Sequence, residues 1–92
     1  MIRSFRCQET RAIHEGNGSR RFGGIEEQAR KRLRWLDAGT SLADLGAIRG
    51  NRLEALKGDR ASQHSIRINH RWRICFSWRE GSAHDVEIVD CH

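Results

Sequence analysis

Apolar positions in this chain recur with two different periods. Between residues 25 and 38, Ile25, Ala29, Leu33 and Leu36 fall at spacings of four, four and three, which is one face of a helix. Towards the C-terminus the spacing changes to two. Ile66 and Ile68 alternate with Arg67 and Asn69, and Trp72, Ile74, Phe76 and Trp78 alternate with Arg73, Cys75 and Ser77. Successive side chains of a strand point to opposite faces. One sheet face is therefore fit for a core, and the other carries Arg67, Asn69 and Arg73.

The remaining elements follow from the same patterns. Residues 2–6, Ile-Arg-Ser-Phe-Arg, alternate and predict a first strand. Residues 9–15 predict one or two helical turns. Gly16, Asn17, Gly18 and Ser19 break that pattern, and with Arg20, Arg21, Gly23 and Gly24 they predict a mobile basic loop over residues 16–24, a candidate nucleic-acid-contacting arm. In the 25–38 helix Glu26 and Glu27 precede Arg30, Lys31, Arg32 and Arg34, an order that suits the helix dipole. The basic cluster reads as a solvated face with Glu26–Arg30 and Glu27–Lys31 pairs. Gly39 is expected as the C-terminal cap. Ser41, with Asp44 three residues on, begins one further turn. Residues 46–51 predict a loop, 52–56 a strand and 57–60 a turn; strands are expected at 63–69, 71–79 and 84–91. The sum is one α+β domain over residues 1–92: an N-terminal strand, two helices, then a mostly antiparallel sheet of four to five strands with helices on one face.

Parity constrains the register, because directly opposed residues of an antiparallel pair share a face. A three-residue loop, Glu80-Gly81-Ser82, pairs Phe76 with Val86 and Ile74 with Ile88. A two-residue loop would set Arg73 against Ile88 and is rejected on that ground. The preceding hairpin needs an odd loop such as residues 69–71, which sets Arg67 directly across from Arg73. Two like charges side by side cost stability unless an anion lies over them.

Composition sharpens that hint. Seventeen Lys and Arg oppose twelve Asp and Glu, for a formal charge of +5, and fifteen of the seventeen are Arg. The planar guanidinium matches phosphate oxygens better than an ammonium does, which favours a nucleic-acid partner over a surface that is basic only for solubility. The mean hydropathy is −0.74, yet three Trp, three Phe and the regular aliphatic spacing oppose disorder. Cys7, Cys75 and Cys91 form neither an even set nor a CxxC pair. A reducing cytoplasm is the expected setting, with no disulfide framework and no zinc site. The N-terminus lacks an apolar export segment, and nothing approaches a membrane span.

RNA can be cut without a metal. The 2′-hydroxyl attacks the adjacent phosphorus while a base takes its proton, an acid protonates the leaving 5′-oxygen, and cations stabilise the phosphorane. Arg67, Arg73, Lys57 and Arg71 are candidate cations. His92, His64, His70 and His84 are candidate acid–base groups, and Glu54 and Glu87 are possible carboxylate bases. His64 and His70, at a strand entrance and a hairpin tip, are expected to be exposed. Trp72, Phe76 and Trp78 share the parity of Ile74 and are expected in the core, and Cys75 is a bystander on the Arg73 face.

Residues 51–60, Asn-Arg-Leu-Glu-Ala-Leu-Lys-Gly-Asp-Arg, then 65–69, Ser-Ile-Arg-Ile-Asn, then 72–76, Trp-Arg-Ile-Cys-Phe, then 86–92, Val-Glu-Ile-Val-Asp-Cys-His, together resemble the HigB-type toxins of the RelE/ParE superfamily. The resemblance is sharp over the last part of the chain and looser before it. It implies a small α+β ribonuclease fold, cleavage of mRNA in the decoding site of a translating 70S ribosome, and no cofactor. It also implies neutralisation by a helix-turn-helix, HigA-like antitoxin, with operator DNA bound only through the complex. Carried over residue by residue, it implies that Arg73 stabilises the phosphorane, His92 is the acid–base residue and Lys57 contacts the phosphate backbone. Glu54 stands where some members have a His, and is the candidate base. Arg67, Arg71, Arg60 and Asn69 are expected as RNA contacts from their place on the sheet and its hairpins. The alternative is a non-catalytic toxin of the same fold, such as a ParE-like gyrase inhibitor, or a passive RNA-binding module.

Overall fold

A computed structural model describes residues 1–48 and 50–90. Three helices precede the sheet: α1 (Gln8–His14), α2 (Glu26–Ala38) and α3 (Leu42–Ala47). Four antiparallel strands follow in sequential order, β1 (Glu54–Ala55), β2 (Gln63–Arg67), β3 (Trp72–Arg79) and β4 (Ser82–Asp90). The α+β arrangement expected from the change of period is the one found.

The core joins the apolar face of α2 to the even-numbered face of the sheet. Ala29, Leu33 and Leu36 are fully buried, as are Ile66, Ile74, Phe76 and Val86, while Ile13 and Leu45 close the cluster from α1 and α3. Trp72 and Trp78 pack against it half-buried. The loop over residues 16–24 is tied down by its own aromatic. Phe22 is 1% exposed and meets Trp72 edge-to-face at 5.2 Å between centroids, an orientation favoured by the ring quadrupoles. Arg30 adds a second anchor, donating from Nε to the Ile13 carbonyl and from an Nη to that of Asn17.

The helix ends depart from expectation in instructive ways. Arg30 pairs with Glu27 instead of Glu26, and Glu26 turns back to accept the Gly24 amide. Lys31 and Arg32 both lie over the Trp35 ring, at 5.1 and 4.7 Å. Gly39 does cap α2, donating its amide to the Trp35 carbonyl, but in an extended rather than a left-handed conformation, with φ and ψ of −66° and 140°. Glycine is needed there for space: a Cβ would come within 2.9 Å of Leu45 Cδ2. Ser41 does cap α3, accepting the Asp44 amide, while the Asp44 carboxylate accepts the amide and hydroxyl of Thr40. Those Thr40 bonds hold the Asp44 carboxyl below its ordinary range.

The N-terminal segment forms no regular strand. It runs beside β4 in parallel, through isolated bridges at Ile2–Ala83 and Phe5–Val86. Between them Ser4 Oγ takes the Asp85 amide and interrupts the ladder. The β3–β4 turn is also corrected. It has two residues, with Arg79 opposite Ser82. Glu80 and Gly81 have φ of 51° and 74°, the positive pair that a tight hairpin turn requires. The register then shifts by one residue between Cys75 and Ser77, beside Asp85 at φ 53°. This bulge restores the Ile74–Ile88 pairing that the parity argument demanded. Parity was right about the faces; the extra residue lies inside β4 instead of in the loop.

Candidate active site

The sheet face opposite the helices is where the candidate chemistry gathers. Strand pairing aligns Glu54, Ser65, Cys75 and Glu87 in one row across β1 to β4. The next row holds Arg67, Arg73 and Val89, with Arg67 directly opposite Arg73 as the hairpin parity required.

Arg73 is the centre of this surface. Its side chain is only 15% exposed. Nε donates to Ser65 Oγ at 2.7 Å, and an Nη donates to the Arg52 carbonyl at 2.8 Å. Ser65 is itself fully buried. Arg52 adopts φ 47°, a left-handed conformation that costs a non-glycine residue on the order of 1 kcal/mol and that the surroundings must hold. Asn51 does so: buried completely, it donates from Nδ2 to the Leu45 carbonyl and accepts the Arg67 amide on its own carbonyl. A chain of contacts thus runs from the end of α3 through Asn51 and Arg52 to the guanidinium. Glu54 Oε1 stands 3.7 Å from Arg73, offsetting the like-charge contact with Arg67.

Arg60 and Glu87 form a second paired centre. Arg60 ends the 3₁₀ turn Gly58–Arg60 and approaches Glu87 Oε1 at 2.8 Å while donating to Gln63 Oε1. The Glu87 carboxylate raises the Arg60 guanidinium above its ordinary value, against the opposite effect of burial. Arg6 approaches the same carboxylate at 3.9 Å.

The hairpin candidates have structural partners. Asn69 Oδ1 accepts the amides of Arg71 and Trp72 and so shapes the β2–β3 turn. Arg71 pairs with Asp90 at 3.0 Å and lies over the Trp72 ring. Lys57 is exposed beside the 3₁₀ turn, and among the described residues neither Lys57 nor Arg67 carries an ion pair. His64 corrects its expectation: it is half-buried and stacks on Phe76, because its even position points it to the core face. His92 and Cys91 lie outside the described residues. No group of three or more His, Cys, Asp or Glu among the described residues is placed to hold a metal ion.

Sequence reasoning missed Ser65 and the Arg52 carbonyl. Ser65 shares parity with Arg67, so its face was legible; that its hydroxyl would be buried under Arg73 was not. The backbone carbonyl of Arg52 leaves no residue-type signal at all.

Comparison with known proteins supplies the family. Residues 6–92 match the family of HigB-like toxins, described as the RelE-like toxin HigB of type II toxin–antitoxin systems. The chain is 29% identical over 96 aligned positions to the endoribonuclease HigB of Proteus vulgaris, covering all of both chains. It is 39% identical over 59 residues to toxin HigB-1 of Vibrio cholerae serotype O1, a match spanning 64% of this chain and 62% of that one. By these matches, with a fold that agrees with them, the chain belongs to the HigB-like toxin family of the RelE/ParE superfamily.

Proposed function

We propose that this toxin is an endoribonuclease that cuts mRNA on the translating ribosome and thereby stops protein synthesis. The observation that carries the reading is the pre-oriented Arg73 guanidinium on the helix-free face, with Arg67 opposite it. Donors held in place before the reaction stabilise developing charge without reorganising during it. In the proposed step the 2′-hydroxyl oxygen bonds to phosphorus as the bond to the 5′-oxygen breaks. A base accepts the hydroxyl proton and an acid delivers one to the leaving oxygen, yielding a 2′,3′-cyclic phosphate and a 5′-hydroxyl.

Within that step Arg73 stabilises the phosphorane, His92 supplies acid–base catalysis and Lys57 contacts the backbone. Arg67, Arg60, Arg71 and Asn69 extend the RNA-contacting face, and Glu54, paired with Arg73 among the described residues, is the proposed base. One relative in the family bears the name endoribonuclease, which supports the same chemistry here. The ribosome and its bound mRNA are the proposed targets. A HigA-like helix-turn-helix antitoxin is the proposed neutralising partner, with operator DNA engaged through that complex, and the proposed setting is the cytoplasm. No helix among the described residues is long and apolar enough to cross a membrane.

The test is to induce the toxin in growing cells and map mRNA 5′ ends. Cuts within translated codons, lost in Arg73→Ala and in His92→Ala, are expected. Intact mRNA with a DNA-damage response would instead favour a gyrase-directed toxin. RNA binding without cutting, surviving both substitutions, would favour a passive binding module.

A further inference from the structure

We infer that Glu54 is a built-in competitor for phosphate at Arg73, and so determines how firmly RNA must be held elsewhere before this guanidinium engages it; this rests on the phosphate-binding role proposed for Arg73. The Arg73 side chain is fixed by neutral acceptors, Ser65 Oγ and the Arg52 carbonyl. Those contacts orient the guanidinium without cancelling its charge. Among the described residues the single carboxylate paired with it is Glu54, at 3.7 Å, beyond the range of a directed hydrogen bond.

Glu54 is also loosely held. It lies on the two-residue edge strand β1, its side chain is 60% exposed, and its carboxylate makes no hydrogen bond among the described residues. It can leave without disturbing the fold. In its place it offsets the repulsion between Arg67 and Arg73, which the register holds opposite one another. A phosphate would do the same through shorter, charge-assisted bonds. Phosphate and Glu54 therefore exchange at one guanidinium.

The exchange makes Glu54 a specificity-determining residue. An exposed ion pair resists displacement weakly, which corresponds to about a three- to five-fold change in affinity. A short free RNA, making few other contacts, feels that factor in full. An mRNA held at several other phosphates carries the same factor in affinity, but when its concentration is far above its Kd it stays largely bound. The substrate class favoured is thus a strand positioned by other contacts.

The test uses the whole purified toxin and a short single-stranded RNA made uncleavable by 2′-O-methyl groups, with binding followed by fluorescence anisotropy at low salt. Glu54→Gln is expected to lower Kd about three- to five-fold. Asp59→Asn, which removes the same charge from the neighbouring 3₁₀ turn, is expected to change Kd by less than half as much. In an Arg73→Gln background the gain from Glu54→Gln is expected to vanish. Unchanged affinity in Glu54→Gln, an equal gain in Asp59→Asn, or a gain that persists without Arg73 would each overturn the inference. Failure of the toxin to cut mRNA would instead overturn the nuclease reading, and the binding cycle would still report on the competition.

Discussion

Ser65 Oγ accepts the Arg73 Nε–H at 2.7 Å from a fully buried position on the neighbouring strand. The hydroxyl is too small to fill the core, and it lies on the face away from the helices, so what it contributes is the hold on the guanidinium. Ser65→Ala removes this bond while leaving backbone and volume nearly unchanged. A hydrogen bond to a charged group contributes about 1.5 kcal/mol, so toxin activity should fall roughly ten-fold. The thermal midpoint should fall by roughly several degrees, well short of the drop caused by a cavity in the core. Loss of activity with an unfolding transition as low as that of a core variant would refute a positioning role.

Phe22 anchors an otherwise polar loop. Its ring is 1% exposed and meets Trp72 edge-on. Phe22→Ala should destabilise the fold by about 3–5 kcal/mol, a large fraction of the stability of a domain this small. Urea denaturation followed by tryptophan fluorescence measures this directly. A loss near zero would mean that residues 16–24 contribute nothing to the core.

Gly39 and Gly58 should respond to alanine for different reasons. At Gly39 the backbone is ordinary, and the cost is the 2.9 Å approach to the buried Leu45. Overpacking of this kind costs about 1–3 kcal/mol. Shortening Leu45 in the same protein should recover part of the Gly39→Ala cost, giving a double variant that is less than additive. At Gly58 the space is open but φ is 66°, and the cost is the roughly 1 kcal/mol of a left-handed alanine. No change at Leu45 should relieve it.

Acid should weaken the fold partly through two carboxyls. Thr40 lowers Asp44, first through its hydroxyl and then through its amide. The amides of Glu26 itself and of Gly24 lower Glu26. A carboxyl whose folded pKa lies below its unfolded value stabilises the fold at pH above the unfolded value. That contribution is lost as pH falls through the folded one. The melting-temperature gap between the wild type and Asp44→Asn should therefore be widest near neutrality. It should narrow as pH drops below about 4. A gap that is constant from neutrality to acid would show that Asp44 contributes only through its shape.

Alternation along β2 and β3 was enough to separate the core face from the cationic one and to set Arg67 against Arg73, because side-chain direction in a strand is local and strictly periodic. The α2 core face was legible for the same reason. The length of the β3–β4 loop was not. Turn and bulge are interchangeable ways of placing one extra residue, and the choice of Glu80-Gly81 with a bulge near Asp85 depends on how β4 meets the N-terminal segment. Partner identity at the site was also a tertiary matter. Arg73 could be named from its strand position and motif, but its bond to Ser65 on the paired strand, its hold on the Arg52 carbonyl and its exchangeable pairing with Glu54 arise only once separate segments pack together. Periodicity orders a single strand; only the packed sheet decides which charges end within a few ångströms of each other.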